Sequence, residues 1–388
     1  MDLAFSDDQT SIRDAVAAIV ANFDDDYWLD HDRSGTFPDE FYAAMADGGW
    51  LGIAMPQDHG GAGLGVSEAA LMMQTIADSG GAMAAASAIH INIFGPHPIV
   101  VFGSREQQSA WLPPLIAGRQ RCCFGVTEPD AGLDTGRITT TATRSSKGYV
   151  VQGRKIWTST AQLADKIMLL ARTTPADQCA RRTDGLSLFY TDLDRNHVEV
   201  REIEKMGRAA VDSNMVFIDA LPVPKDDLIG EEGKGFQYLL HSLNPERILV
   251  AAEAVGLGKN ALDRAVVYAG ERVVFDRPIG QNQAIQHPLA QSWVDLHAAE
   301  LMVREAAWLY DIGRPCGAEA NAAKYFAADA AHTAATRAVT TLGGMGYARE
   351  YHVERLLRES LIPLLAPVSA QMILCYIAEK VLGLPKSY

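Results

Sequence analysis

Gly230-Glu-Glu-Gly-Lys-Gly-Phe-Gln-Tyr-Leu-Leu-His-Ser-Leu-Asn-Pro-Glu-Arg-Ile-Leu-Val250 separates two kinds of pattern in the chain. From about Arg121 up to this stretch, apolar residues recur with a period near two. After it they recur at helical spacing to the end. The three glycines read as a turn, and Tyr238, Leu239, Leu240 and Leu243 behind them already look helical. Pro245 therefore either starts a helix capped by Asn244 or kinks one begun at Phe236, and the apolar residues ahead of it favour the kink. Glu246 and Arg247 set a carboxylate beside a guanidinium at this junction, which makes Glu246 a candidate catalytic base.

Working outward, Ile248, Ala252, Val255, Leu262, Val266 and Ala269 form one apolar stripe interrupted by Lys259, as in a bundle helix. Gly280, Gly313 to Gly317, Gly343-Gly-Met-Gly346 and Pro363 divide the remaining helical sequence. Upstream, the spacing predicts strands over Arg137 to Arg144, Tyr149 to Lys155, Lys166 to Arg172, Leu186 to Leu193, Val198 to Lys205 and Asn214 to Ile218. Turn clusters such as Ser145-Ser-Lys-Gly148 and Arg182-Thr-Asp-Gly185 separate them, as between antiparallel strands. Residues 1 to about 120 read as helical, with Ile12, Ala15, Val16, Ile19, Val20 and Phe23 on one face and a second such run from Ser67 to Ala77. The result is an α+β chain: helices over 1–120, a β domain over 121–235, helices over 236–388. No internal repeat is apparent.

Composition narrows the function classes. The 388 residues are 48% hydrophobic, enough for a large core, and carry a net charge of −14 without a Lys/Arg block. Nucleic acid and anionic membranes are thereby disfavoured as partners. The acidic start, Met1 to Asp8, lacks the features of a signal or transit peptide. The apolar run Gly80 to Gly103 is too interrupted by His90, Asn92, Pro96, His97 and Pro98 to span a bilayer. Cys122, Cys123, Cys179, Cys316 and Cys375 lack CxxC spacing and are expected to be reduced thiols in a cytoplasmic protein. The ten histidines show no HExxH or paired Cys/His spacing, so no metal is expected; His90, His97, His287 and His297 read as packed or capping residues. Gly60-Gly-Ala-Gly-Leu-Gly65 lacks the register of a phosphate cradle and reads as a flexible turn, and no GxSxG elbow is present.

Five segments then occur in order: Gly125-Val-Thr-Glu-Pro-Asp-Ala-Gly-Leu-Asp134; Gly153-Arg-Lys-Ile-Trp-Thr-Ser159; Lys205-Met-Gly-Arg208 with Val223-Pro224 and Leu228 to Phe236; Glu271-Arg-Val-Val-Phe-Asp-Arg-Pro-Ile-Gly280 with Gln283; and Leu342-Gly-Gly-Met-Gly-Tyr347 leading to Arg355 and Arg358. Together they resemble the acyl-CoA dehydrogenase family along nearly the whole chain. The resemblance implies an N-terminal helical domain, a middle antiparallel β-barrel-like domain and a C-terminal four-helix bundle. It implies FAD as cofactor and α,β-dehydrogenation of an acyl-CoA thioester to a trans-2-enoyl-CoA, the α proton going to a base and the β hydride to flavin N5.

Carried over by motif, Phe124, Val126 and Thr127 border the flavin, Trp157 packs on its ring, and Ser159 stands near N5. Arg272 meets the FAD pyrophosphate from an adjacent subunit, accompanied by Phe275, Asn282 and Gln283. Gly343 and Gly344 fit a close approach of backbone to cofactor, although a helix stop explains them as well. Ser369 and Gln371 match polar FAD contacts on the final loop. Arg247 anchors the site beside the substrate, and Asn244 touches the acyl-CoA.

The family places its base in one of two positions. The C-terminal loop, Leu364-Leu-Ala-Pro-Val-Ser-Ala-Gln371, carries Pro367 where one class of members has glutamate. Leu243-Asn-Pro-Glu-Arg247 instead matches the isovaleryl-CoA and long-chain acyl-CoA dehydrogenases, leaving Glu246 as the base. The competing explanation is half of a solvated salt-bridge set. Substrate binding is expected to desolvate Glu246 and raise its pKa. Three departures bear on cofactor binding: Leu133 for a hydroxyl residue, Thr340 for a glutamine that contacts FAD, and Asp276 for glycine. The resemblance further implies a homotetramer that passes electrons to an electron-transferring flavoprotein. Alternatives are an oxygen-using flavoenzyme of the same fold, of the acyl-CoA oxidase or nitroalkane oxidase type, a silent flavin or acyl-CoA binding paralogue, and an acyl-carrier-protein substrate.

Overall fold

A computed structural model describes residues 4–387. Seven helices come first: α1 (Asp7–Val20), α2 (Asp25–Ser34), α3 (Asp39–Asp47), α4 (Val66–Ala77), α5 (Ala82–Phe94), α6 (His97–Phe102) and α7 (Arg105–Ile116). Local chemistry sets their ends. Ser6 caps α1 by accepting from the Gln9 N–H, while the Gln9 side chain accepts from the Ser6 N–H. Gly60 and Gly63 take positive φ, so the stretch before α4 is a turn, as expected. The N–H groups that open α4 are taken by Asp311, whose carboxylate oxygens accept from Val66 and Ser67 at 2.7 and 2.9 Å.

By composition, Ala82–Phe102 and Val353–Lys380 are apolar enough to cross a bilayer. Both are divided into short helices, of 13 and six residues in the first case, whereas a crossing takes about 20.

The middle strands are β1 (Cys122–Gly125), β2 (Thr141–Ser145), β3 (Gly148–Ser159), β4 (Lys166–Arg172), β5 (Leu186–Asp192), β6 (Val198–Glu202) and β7 (Ser213–Pro224). They form one seven-stranded sheet in the order β1-β4-β2-β3-β7-β6, with β5 also on β4. The ladders are mainly antiparallel, but β1 runs parallel to β4 from Cys122↔Lys166 to Gly125↔Leu169. No hairpin joins these two strands, so nothing local imposes the antiparallel sense. The first expected strand also starts later, at Thr141 rather than Arg137. Thr139 and Thr140 give their N–H groups to the Glu128 carboxylate instead of to a neighbouring strand.

The rest comprises α8 (Gly235–Glu271), the two-strand hairpin β8 (Val273–Val274) and β9 (Arg277–Pro278), α9 (Gln283–Asp311), α10 (Gly317–Leu342), α11 (Val353–Glu359), α12 (Leu361–Leu365) and α13 (Ala370–Lys380). Helix α8 runs unbroken through Pro245, so Asn244 is not a cap. Its 37 residues span about 55 Å. The expected stripe is buried except for Val266, which is 51% exposed; Ala261 and Ala265 continue the core face instead. Helices α8, α9 and α10 pack on one another, and the short α11, α12 and α13 pack on α10 where a fourth long helix was expected.

Helices before and after the sheet share one hydrophobic core, in which Met72, Ile76 and Ile89 meet Ile248, Val255 and Leu296. A second core lies on the sheet around Val151, Ile167 and Val216. A third joins Leu112, Leu115, Met168 and Leu188 to Leu239 of α8. Gly235 starts α8 directly against β5: a Cβ there would lie 2.5 Å from the Leu188 nitrogen. Gly256 lets the same helix touch α4, where a Cβ would lie 2.3 Å from the Gln74 carbonyl oxygen. All five cysteines are unpaired.

Candidate active site

Helix α8 begins on the sheet at Leu239 and enters the helical core at Ile248, so the turn holding residues 244–247 lies at the seam between the two. Glu246 is partly buried there, with no hydrogen bond or ion pair to any other described residue. Arg247 turns instead to Asn244, its Nη1 donating to Oδ1 at 3.0 Å. The salt-bridge explanation therefore fails. Burial pushes the Glu246 carboxyl up to about 7, outweighing the pull of His90 and Arg247 in the opposite direction. The carboxyl is thus already raised without substrate.

Lys324 of α10 completes this corner. It is almost fully buried, and burial with the nearby Arg247 charge lowers its ammonium to about 8. Its Nζ donates to the Val368 carbonyl at 2.6 Å, so the loop carrying Pro367 is tied beside the group that interacts with Glu246. The loop carrying Pro367 and the turn carrying Glu246 thus both lie beside Lys324.

On the sheet side, β1 ends where Phe124, Val126 and Thr127 are each partly exposed. Lys155 holds this edge: it is fully buried, and its Nζ donates to the Val126 carbonyl at 3.1 Å and to Glu128 at 2.9 Å. The β3 ladder is irregular between Lys155 and Thr158, and Trp157 sits in that bulge at φ 60°, 57% exposed. A left-handed tryptophan costs about 1–2 kcal/mol. Its buried neighbours Lys155 and Thr158 hold it, and such strain is typical of binding sites. Ser159 accepts a hydrogen bond from the Arg208 Nη2 at 3.1 Å, leaving its own hydroxyl proton available.

Arg272 lies at the end of α8, exposed, ahead of the β8–β9 turn formed by Phe275 and Asp276, both at positive φ. Positive φ at both positions favours glycine, so Asp276 stands in a backbone conformation that suits the glycine expected there better. Phe275 is 94% exposed. Asn282 accepts from Arg277 at 2.7 Å, and Gln283, exposed, opens α9. Gly343 ends α10 at φ 61°, so it is a helix stop, and a Cβ on it or on Gly344 would meet no protein atom within 4 Å. Ser369 caps α13 by accepting from the Met372 N–H at 3.4 Å, with Gln371 exposed beside it. Thr340 turns its hydroxyl back to the Thr336 carbonyl of its own helix, and Leu133 is exposed. An outward indole on a strained bulge, the partly exposed residues at the end of β1 and an open glycine shelf suit a flat aromatic cofactor.

Sequence reasoning missed the pairing of His90 with Glu253, whose Nδ1–Oε1 distance is 2.5 Å. The available signal was Glu253 itself, a lone carboxylate inside Leu249 to Leu257 and two helical turns from Glu246. It also missed Lys324; of the four histidines read as packed or capping, His287 and His297 are exposed, the latter stacked on Trp293.

Models of the acyl-CoA dehydrogenase N-terminal, middle and C-terminal domains match residues 6–119, 123–221 and 233–366. The chain belongs to the acyl-CoA dehydrogenase family. The acyl-CoA dehydrogenase FadE12 of Mycobacterium tuberculosis is 37% identical over 388 residues, covering 99% of this chain and 98% of that protein. The caffeyl-CoA reductase-Etf complex subunit CarC of Acetobacterium woodii is 34% identical over 329 residues, 84% and 86% of the two chains. The structure of glutaryl-CoA dehydrogenase with glutaryl-CoA superposes with a TM-score of 0.94 at 31% identity, covering 100% of this chain and 98% of that one. As an acyl-CoA dehydrogenase family member the chain is an oxidoreductase acting on acyl-CoA, with FAD as its cofactor. The expected fold is borne out.

Proposed function

We propose that the chain dehydrogenates an acyl-CoA thioester to the trans-2-enoyl-CoA, with Glu246 as the base. The observation that carries this reading is an unpaired, partly buried carboxylate, raised to about 7, at the seam between sheet and helices. A base of that affinity matches proton abstraction near neutral pH. Glu246 takes the α proton as the β hydride departs. Arg247 and Lys324 lie close enough to favour the ionised form of Glu246 that accepts the proton. FAD, when bound, supplies the hydride acceptor, held by Trp157, Thr127 and the Phe124–Val126 edge, with Arg272, Phe275, Asn282, Gln283, Gly343, Gly344, Ser369 and Gln371 serving its outer part. Ser159, fixed by Arg208, would offer its hydroxyl proton to it.

The similarity to a reductase subunit named for an Etf complex supports an electron-transferring flavoprotein as redox partner. The same groups serve the reverse reaction. Glu246→Gln should leave FAD bound and lower anaerobic flavin reduction by octanoyl-CoA at least a thousandfold. A variant reduced at the wild-type rate would refute Glu246 as base.

A further inference from the structure

Behind Glu246 lies a second carboxylate with a different environment. Glu253 is seven residues further along α8, so it shares nearly the same helix face about 10 Å away. Its side chain is only 2% exposed and is bound to His90 of α5, itself 12% exposed. His90 lies tilted against Phe94, with ring centroids 4.7 Å apart, and Phe94 meets Phe124 at 5.4 Å. One turn before His90, Ser87 accepts from Arg208 at 3.2 Å, and Arg208 also reaches Ser159. His90 therefore stands between the base on α8 and the Phe124–Ser159 edge of the sheet.

The His90 nitrogen bound to Glu253 is Nδ1. Nε2 has no partner among the described residues and is not one of the fully buried unpaired atoms. It therefore faces open space. A buried carboxylate and imidazole add little stability, because two apolar side chains of similar size would serve the core at least as well. An alkyl chain running past them would gain nothing from the polar pair and would strip water from Nε2.

We propose that this pair determines specificity: Glu253 holds His90 so that Nε2 bonds a hydroxyl on the acyl chain of the substrate, selecting hydroxylated acyl-CoA thioesters over plain alkyl ones. The reading rests on the dehydrogenation proposed above. A hydroxyl fits either state of the ring, accepting from an imidazolium or donating to a neutral Nε2. Glu253 favours the charged ring.

The test is anaerobic flavin reduction of the holoenzyme by octanoyl-CoA and by its 5-, 6-, 7- and 8-hydroxy derivatives. At least one hydroxy derivative should reduce the flavin with about tenfold higher efficiency than octanoyl-CoA, the worth of one hydrogen bond to a charged group. His90→Phe should bring that ratio close to one. Glu253→Gln, which keeps an acceptor for Nδ1 but removes the charge, should lower it by a smaller factor. Retained flavin absorbance identifies folded variants, and the ratio is independent of how much of each is active. Octanoyl-CoA equal to or better than every hydroxy derivative in the wild type, or a ratio unmoved by His90→Phe, would overturn the assignment. A flavin bleached by none of the five compounds would overturn the dehydrogenation reading instead.

Discussion

Glu246 combines a demand of chemistry with a cost in stability. Its carboxyl ionises near 7 in the folded chain, against the ordinary 4.5. Between those values the unfolded chain has already lost the proton that the folded chain keeps. The contribution to stability is therefore full below about 4.5 and is lost as pH rises toward 7. The rate of flavin reduction should rise with pH through about 7 as the base ionises, and Glu246→Gln should remove that inflection. Glu246→Gln should also melt higher than wild type at pH 8, with the difference shrinking to nothing near pH 4.5; a constant difference across that range would contradict a raised carboxyl. The candidacy of Glu246 was legible in the sequence because its surroundings, Leu243 to Arg247, are contiguous. His90 and Glu253 were not, since their contact joins residues 163 apart and only packing brings α5 to α8.

Elements obey the same distinction between local and distant causes. The limits of β4 are those expected, and β5 ends one residue early, because continuous apolar runs bounded by turns define them without help. The parallel β1–β4 pair and the late start of β2 were hidden, since both depend on partners elsewhere in the chain. Much of that hidden order passes through Lys155, which links β3 to the end of β1 and to Glu128. Glu128 in turn fixes the N–H groups of Thr139 and Thr140. The Lys155 ammonium is lowered to about 8 by burial, and the Glu128 carboxyl, despite its own burial, is held down at about 2 by Lys155 and the threonines. Lys155→Met leaves a buried carboxylate without its cation, which should cost about 3–5 kcal/mol in urea denaturation. The loss should be accompanied by weaker FAD binding, since the Val126 edge loses its anchor. Adding Glu128→Gln to Lys155→Met should restore most of the stability. A double variant no more stable than the single one would mean that Lys155 acts through packing alone.

At the scale of the molecule, helices from both ends of the sequence close one core around α8 and leave the sheet against one side. The three-part pattern was readable from a change in periodicity; the sharing of a core between the first and third parts was not, because periodicity shows that a face is buried and not what covers it. The same limit applies to the outer surface. Val266, Val267 and Val273 near the end of α8, Phe275 at the hairpin tip and Tyr347 after the glycine shelf are all exposed, Phe275 and Tyr347 at 94% and 86%. Phe275 contributes nothing to the core of its own chain, yet a strained turn with two positive φ values presents it outward. A second copy of the chain is the covering surface expected from the family resemblance, with Arg272 beside the same hairpin. Phe275→Asp should then leave the melting of the isolated chain almost unchanged while weakening self-association about 30-fold or more, the effect of losing one central aromatic contact of about 2 kcal/mol. Sedimentation velocity across a concentration series would read the shift to smaller species, and flavin absorbance at the same boundary would report FAD leaving with the lost contact. If the variant sediments as the wild type does and keeps its flavin, the hairpin is not part of an interface between copies, and the outward phenylalanine requires another explanation.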